Sequence, residues 1–377
     1  MDVDIAIIGA GIAGASMAAF LPDGMRVALL EAEHQPGYHS TGRSAAFYTE
    51  TYGGPEVQPL TTASKRWYFS TKSHSTDALM VAKRGALHVA WSQKPGALKG
   101  FAKEMQHLAP SVMLLSSDET RRRCPVLNGE ALTGGVWDPD CCDIDVAEVH
   151  SYFLRECRHR GHSVATGFDV QSARRGNGVW HLQSSKGDSL TAALVVNAAG
   201  AWADQIAAIF GVSPLGLTPM RRTIALFEVS GAVLDERLPL CLDFDERFYF
   251  KPQSGQLLVS PADETHSPPC DVQPDVEDIA LAGYRVEQAT RLTLPRCAAR
   301  WAGLRTFAPD RSPVYGFDQD VPGFFWCAGQ GGFGIQTAPA AGELAACLLQ
   351  DKALPDAFGR LGITAERYAP RRFALAA

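Results

Sequence analysis

Three glycines, one acid and one arginine hold the chemistry that this sequence most openly offers. Gly9, Gly11 and Gly14 stand as GxGxxG, and Glu31 follows Gly9 by 22 residues. In that pattern the first glycine permits a tight turn, the second lets backbone approach a pyrophosphate, and the third brings a helix close against a strand. A helix starting there presents free N–H groups and its positive dipole end to phosphates. Glu31 can accept hydrogen bonds from ribose hydroxyls. An acid at that position disfavours a 2′-phosphate, which ranks NADP behind NAD and FAD. Far along the chain, "WAGLRTF" sets Arg305 inside an apolar run. A buried guanidinium requires an anion, and it grips a carboxylate through two parallel hydrogen bonds.

These groups need elements to position them. Val3 to Ile8 predicts a buried strand, Ile12 to Phe20 a small-residue helix, and Arg26 to Leu30 a second strand ending at Glu31. Leu194 to Asn197 predicts another buried strand, followed by a small-residue turn at Ala198 to Ala201 and a helix beginning at Trp202. The segments before it read as a hairpin whose first strand, with Val170, has two readings: a cover for an adenine, or plain sheet. Near the C-terminus, Phe324 to Ala328 predicts a strand, Gly329 to Gly334 a glycine-rich loop, and a long small-residue helix follows. This second helix start has a different use from the first. One pyrophosphate needs one such end; the other suits the flavin edge where negative charge collects on reduction. The pair is a pattern for FAD rather than NAD.

The chain has 377 residues, a net charge of −6 and ordinary apolar content. Length favours two domains, and the charge argues against nucleic acid or an anionic membrane as main partner. Arg121, Arg122 and Arg123 read as a solvated loop or helix end. Nine cysteines, none spaced CxxC and two adjacent at Cys141 and Cys142, read as reduced thiols in a cytoplasmic protein. No HExxH occurs, and His159 and His162 read as solvated residues near a helix end; no metal is expected. The uncharged run Ile5 to Leu21 follows Asp2 and Asp4 and is interrupted by glycines, so it reads as strand, turn and helix rather than a signal or an integral membrane segment.

On "GAGIAGAS", "QPGYHSTGRSAA", "VNAAGAW", "PLGL", "FYFKP", "WAGLRTF" and "GQGGFGIQT", the chain resembles the D-amino acid oxidase, glycine oxidase and sarcosine oxidase family of flavoproteins, and within it the bacterial D-arginine dehydrogenases. The resemblance implies an α/β fold: a Rossmann-like FAD-binding domain (1–85, 146–219, 301–377) and an α+β substrate domain (86–145, 220–300) with a mainly antiparallel sheet. Thr223 to Val229, Arg247 to Lys251 and Gln256 to Ser260 are its expected strands, with Gly255 a turn. It implies that Ser40, Thr41, Ser44 and Ala45 wrap the cofactor, with Arg43 either offsetting phosphate charge or lying on the surface. It further assigns to FAD the residues Ile12, Ala13, Ala32, Ala46, Val170, Ala199, Gly200 and Trp202. From Gly303 and the C-terminal loop it adds Gly331, Gly332, Phe333, Gly334, Ile335 and Gln336.

For substrate, the resemblance implies Arg222 and Arg305 as a carboxylate clamp and Tyr52 and Tyr249 as positioning hydroxyls. The Gly332 carbonyl receives the amine, and Phe47, Ala86 and Gln336 line the pocket. The reaction implied is hydride transfer from Cα to flavin N5, then hydrolysis of the imine to a 2-oxo acid and ammonia. D-Arginine dehydrogenases carry Glu where this chain has Ala86 and His where it has Phe47. Both changes remove polar groups, which predicts neutral apolar or aromatic D-amino acids as substrates. No cysteine falls in "GLRTF", so FAD is expected to be non-covalent. The electron acceptor (a quinone, O2 or a redox protein) is left open. Competing readings are a sarcosine-like or cyclic amine oxidase, a flavin subunit of an electron-transfer complex, and a 2-hydroxy acid dehydrogenase; the last would need a base for which no His stands in "FYFKP" or "WAGLRTF".

Overall fold

The expected first unit is present. Asp2–Ile8 is a strand, Ile12–Ala19 a helix and Val27–Glu31 a second strand, all but closed to solvent. The computed structural model describes residues 2–92, 95–129, 131–230 and 234–373. The remaining residues of the expected domain segments lie outside that description. Gly14 is where helix and strand touch: a Cβ there would sit 2.0 Å from the Gly9 carbonyl oxygen. Gly9 itself has φ +101, which L side chains rarely adopt.

Asp2–Ile8 pairs in parallel with Val27–Glu31 on one side and with Ser189–Asn197 on the other. The latter is longer than the four residues expected, because its first half pairs with strand Val179–Ser184 and its second half with Phe324–Ala328. Val170–Gly176 and Val179–Ser184 form the expected hairpin. The parallel strands Ile8, Asn197 and Trp326 end in register, so their loops open at the carboxyl edge, where open α/β sheets bind ligands. Helices Ile12–Ala19 and Gly334–Leu349 lie together on one face. A Cβ on Gly342 would fall 2.8 Å from the Ser16 carbonyl oxygen, and this close contact brings both helix starts to the same edge.

The second sheet has ten strands. Thr218–Phe227, Gln256–Ser260 and Tyr249–Gln253 run antiparallel, and Leu240–Asp243 joins them to Ala86–Trp91 in parallel. Ser254 and Gly255 both have positive φ and make the two-residue hairpin turn that right-handed strand twist favours. Two expected strands are displaced: Thr223 to Val229 is Thr218–Phe227, and Arg247 to Lys251 is Tyr249–Gln253. Strand Cys297–Phe307 also runs across the expected boundary at residue 301 and pairs along the whole of Thr218–Phe227. Arg305 therefore belongs to the second sheet. One face of this sheet packs on helix Val276–Ala289 through Ala225, Phe250 and Val259; the other faces the nucleotide unit.

His162 corrects an expectation. It is 3% exposed rather than solvated, because the chain reverses at Gly161 (φ +80) and enters strand Ser163–Thr166 immediately afterwards. His159 is exposed, as expected. The three arginines end helix Ser117–Arg123. Among the described residues no helix is long and apolar enough to cross a membrane.

Candidate active site

A cavity of about 670 Å³ lies between the two sheets. Gly11, Ile12 and Ala13, at the start of the first helix, line one part of it. Phe333, Gly334, Ile335 and Gln336, at the start of the C-terminal helix, line another. Between them lie Ser40, Thr41, Ser44, Ala45 and Ala46, with Gly200, Gly303 and Gly331 nearby. Small side chains and two positive helix ends along one cleft fit a flat, anionic dinucleotide such as FAD.

Several residues expected to touch that group are engaged within the protein or lie off the cavity wall. Gly9 and Gly14 shape the turn but do not line the cavity. Glu31 accepts from the backbone N–H groups of Ala10 and Glu33, both at 3.0 Å, and so braces the glycine loop. Burial raises its pKa against those hydrogen bonds. Thr41 Oγ1 accepts from Ile12 N–H at 3.0 Å, and Ser40 donates to the Leu304 carbonyl at 2.5 Å. Ala32, Val170, Ala199 and Trp202 are outside the cavity wall, and Val170 sits in the core with Leu30 and Phe168. Arg43 reaches the cavity, but its guanidinium is committed to Asp271 and to the carbonyls of Val272 and Ala302. It ties the Ser40–Ala46 loop to the second sheet rather than lying free to meet phosphate.

The other wall is one face of the ten-stranded sheet. Arg222, Ile224, Gly303, Arg305, Tyr249 and Ala86 all line it. Alternation makes this possible: Arg222 stands opposite Gly303, two residues from Arg305, and Tyr249 stands opposite Leu242. Arg222 Nε donates to the Asp263 carbonyl at 2.8 Å, and its guanidinium lies 5.9 Å over the Tyr249 ring. Arg305 Nη1 donates to the Tyr52 hydroxyl at 3.0 Å, while its buried Nε–H has no partner among the described residues. An unpaired buried donor costs about 1–3 kcal/mol, so this guanidinium is set for a further acceptor.

Tyr52, 37% exposed, packs its ring on Phe333 at 4.9 Å. Gly332 faces the same group: a Cβ there would meet Arg305 Nη1 at 2.7 Å and the Tyr52 hydroxyl at 3.3 Å. Gln336 lines the cavity, but its amide donates to the Tyr52 carbonyl at 3.2 Å and Thr61 Oγ1 at 2.9 Å. It therefore fixes the Tyr52 loop to the C-terminal helix. Phe47, Ala86, Leu240 and Tyr249 form one apolar cluster.

Sequence reasoning missed Glu264. Its carboxylate binds Arg305, accepts from Arg311 at 3.0 and 3.1 Å, and lies 3.6 Å from Arg222. Burial would raise its pKa, but Arg305, Arg311 and Arg222 outweigh that and hold it low. Asp263, the residue before it, accepts from Thr223 N–H at 2.7 Å and fixes the loop to the sheet. The signal lay in "PADETH", but nothing local joins that loop to Arg305, 41 residues away. Glu246 is another missed acid, as are Glu56, Asp243 and Asp310: it lines the cavity, is exposed, and has no side-chain partner among the described residues. Among the described residues no cysteine lines the cavity.

The family model described as DAO, FAD dependent oxidoreductase, matches residues 4–348. Hydrogen cyanide synthase subunit HcnC of Pseudomonas aeruginosa is 26% identical over 263 residues, 67% of this chain and 59% of that protein. Human mitochondrial dimethylglycine dehydrogenase is 23% identical over 364 residues, 89% of this chain and 41% of that protein. The chain thus spans about half the length of these curated relatives. Glycine oxidase from Geobacillus kaustophilus superposes with TM-score 0.80 at 21% identity, covering 94% of this chain and 96% of that one. L-Proline dehydrogenase from P. horikoshii gives 0.81 at 20% identity, over 100% and 98%. These likenesses are to the whole two-sheet fold.

Proposed function

The chain belongs to the DAO family of FAD-dependent oxidoreductases, and from that premise we propose that it oxidises the amine of a D-amino acid with a neutral apolar or aromatic side chain, using non-covalent FAD. The observation that carries this reading is Arg305, with a buried, unpartnered Nε–H beside Arg222 in a cavity shared with two helix N-termini. FAD, when bound there, would supply the two-electron acceptor. Arg222 and Arg305 hold the substrate carboxylate, which takes over from Glu264 as the anion of the clamp. The Gly332 carbonyl receives the amine, and Tyr52, pinned through Gln336, keeps Arg305 aligned. Orientation against the acceptor is the protein's share of the work, and no side-chain base is required. Phe47, Ala86 and Leu242 offer the side chain an apolar wall with no carboxylate. The electron acceptor is a quinone, O2 or a redox protein.

A second reading, oxidation of a secondary or cyclic amine, is favoured by the names of two similar proteins, dimethylglycine dehydrogenase and L-proline dehydrogenase. The discriminating experiment is anaerobic bleaching of the flavin band with D- and L-amino acids, sarcosine, proline and D-lactate. Rapid bleaching by neutral D-amino acids is expected. Faster bleaching by sarcosine or proline selects the second reading. D-Arginine outranking D-Phe, D-Met and D-Leu would overturn the apolar preference and point to Glu246 as the partner of a cationic side chain.

A further inference from the structure

Strand Ala86–Trp91 sends alternate side chains to opposite faces. Leu87 and Val89 enter the core beneath the sheet, while Ala86 and His88 line the cavity. His88 lines the cavity beside Leu242, Phe101, Met105 and Phe248, with Asp243 and Glu246 on the adjoining segment. Phe101, from helix Pro95–Leu108, meets the imidazole edge to face at 5.1 Å. Neither ring nitrogen has a hydrogen-bond partner among the described residues, and burial pushes the pKa down to about 4. The ring is therefore neutral at ordinary pH and offers one donor and one acceptor into the cavity.

The register places it two strands beyond Tyr249. Arg222 carries its guanidinium over Tyr249, Tyr249 stands opposite Leu242, and Leu242 stands opposite His88. Two strand spacings, about 10 Å in all, separate the Tyr249 and His88 backbones. An aromatic amino acid held at Arg222 by its carboxylate would lay its side chain along this row of residues toward His88. We propose that His88 is a specificity residue that reads a hydrogen-bond donor at the tip of an aromatic side chain, a phenol hydroxyl or an indole N–H, and so selects such substrates over phenylalanine. The proposal rests on the amine-oxidation reading and names the substrate class within it. A site built to bond a polar tip discriminates against the analogue lacking it, because its own polar group is then left unpaired.

The test is anaerobic stopped-flow reduction of the holoenzyme's flavin by tyrosine, tryptophan and phenylalanine in both enantiomers, for wild type, His88→Leu and His88→Gln. In the reactive enantiomer, tyrosine or tryptophan should exceed phenylalanine by about tenfold or more in kcat/KM. His88→Leu should bring that ratio to about one, and His88→Gln, which keeps a polar end, should restore part of it. The tyrosine and tryptophan arms separate phenol from indole. An equal or reversed ratio in wild type, or a ratio unmoved in a flavin-loaded His88→Leu protein, overturns the proposal. With sarcosine and proline run beside them, reduction by those alone overturns it while leaving amine oxidation standing; no reduction by any amine overturns both readings.

Discussion

Where the two helix starts meet the cavity the wall is mostly main chain, and where the second sheet lines it the wall is mostly side chain. Gly11, Gly331 and Gly334 let backbone and helix ends approach a ligand, with Gly9 and Gly14 making the turn behind them. Across the cleft, Arg222, Tyr249, Arg305 and His88 reach from four strands of one sheet. The first half depends on what is missing, a Cβ, and tolerates little. The second depends on what each side chain carries, and can be altered piece by piece.

The largest effect expected from this contrast is at Gly14. A Cβ 2.0 Å from the Gly9 oxygen has backbone as its obstacle; Gly14→Ala should cost about 3 kcal/mol. Flavin content after purification, read from the 450 nm to 280 nm absorbance ratio, should fall to near zero. Full flavin content would mean that the turn yields and the contrast is false. Next comes Arg305→Ala, which should leave flavin bound but lower kcat/KM for a carboxylate substrate by roughly 30- to 150-fold, about 2–3 kcal/mol for a truncated buried charge pair. Flavin loss in this variant would instead make Arg305 a structural strut between the halves.

Glu264→Gln sharpens the substrate half. Removing the resident anion should tighten binding of a plain carboxylate such as benzoate by a few-fold, on the order of 1 kcal/mol for so exposed a group; titration of the flavin spectrum measures it. Weaker binding would show that Glu264 aligns Arg305 rather than competing for it. The smallest effect is one of pH, in the cofactor half. His150 Nε2 lies 2.8 Å from the Ala10 carbonyl, so it carries the proton and donates, and burial lowers its pKa. The folded pKa lies below the unfolded value of about 6.5, so this stability is complete above that pH and is lost as pH falls through the folded pKa. The wild-type thermal midpoint should fall from pH 7 to pH 5, and His150→Asn should flatten that decline by less than about 1 kcal/mol. An identical slope in the variant would assign the acid lability elsewhere.

The sequence alone determined the glycine turns and flanking strands at the two helix starts. Glycine spacing, flanking apolar strands and the acid at a strand end are local features, each tied to a backbone requirement within a few residues of itself. Gly9, Gly11, Gly14 and the Gly329 to Gly334 loop were legible as backbone features for that reason, and so was strand Phe324–Ala328; Glu31 was legible as an acid at a strand end, but its hydrogen bonds to Ala10 and Glu33 were not. Tertiary structure decided the substrate half. Arg305 joined the second sheet because its strand pairs with Thr218–Phe227, a partnership that no local pattern encodes. Arg43, readable as a phosphate partner, was taken by Asp271, and Gln336, readable as a ligand contact, was taken by the Tyr52 loop. Glu264 and His88 acquired meaning only when pleat and register put them on the same wall as the clamp. A side chain's charge is written in its residue type, but what that charge meets depends on which strands become neighbours.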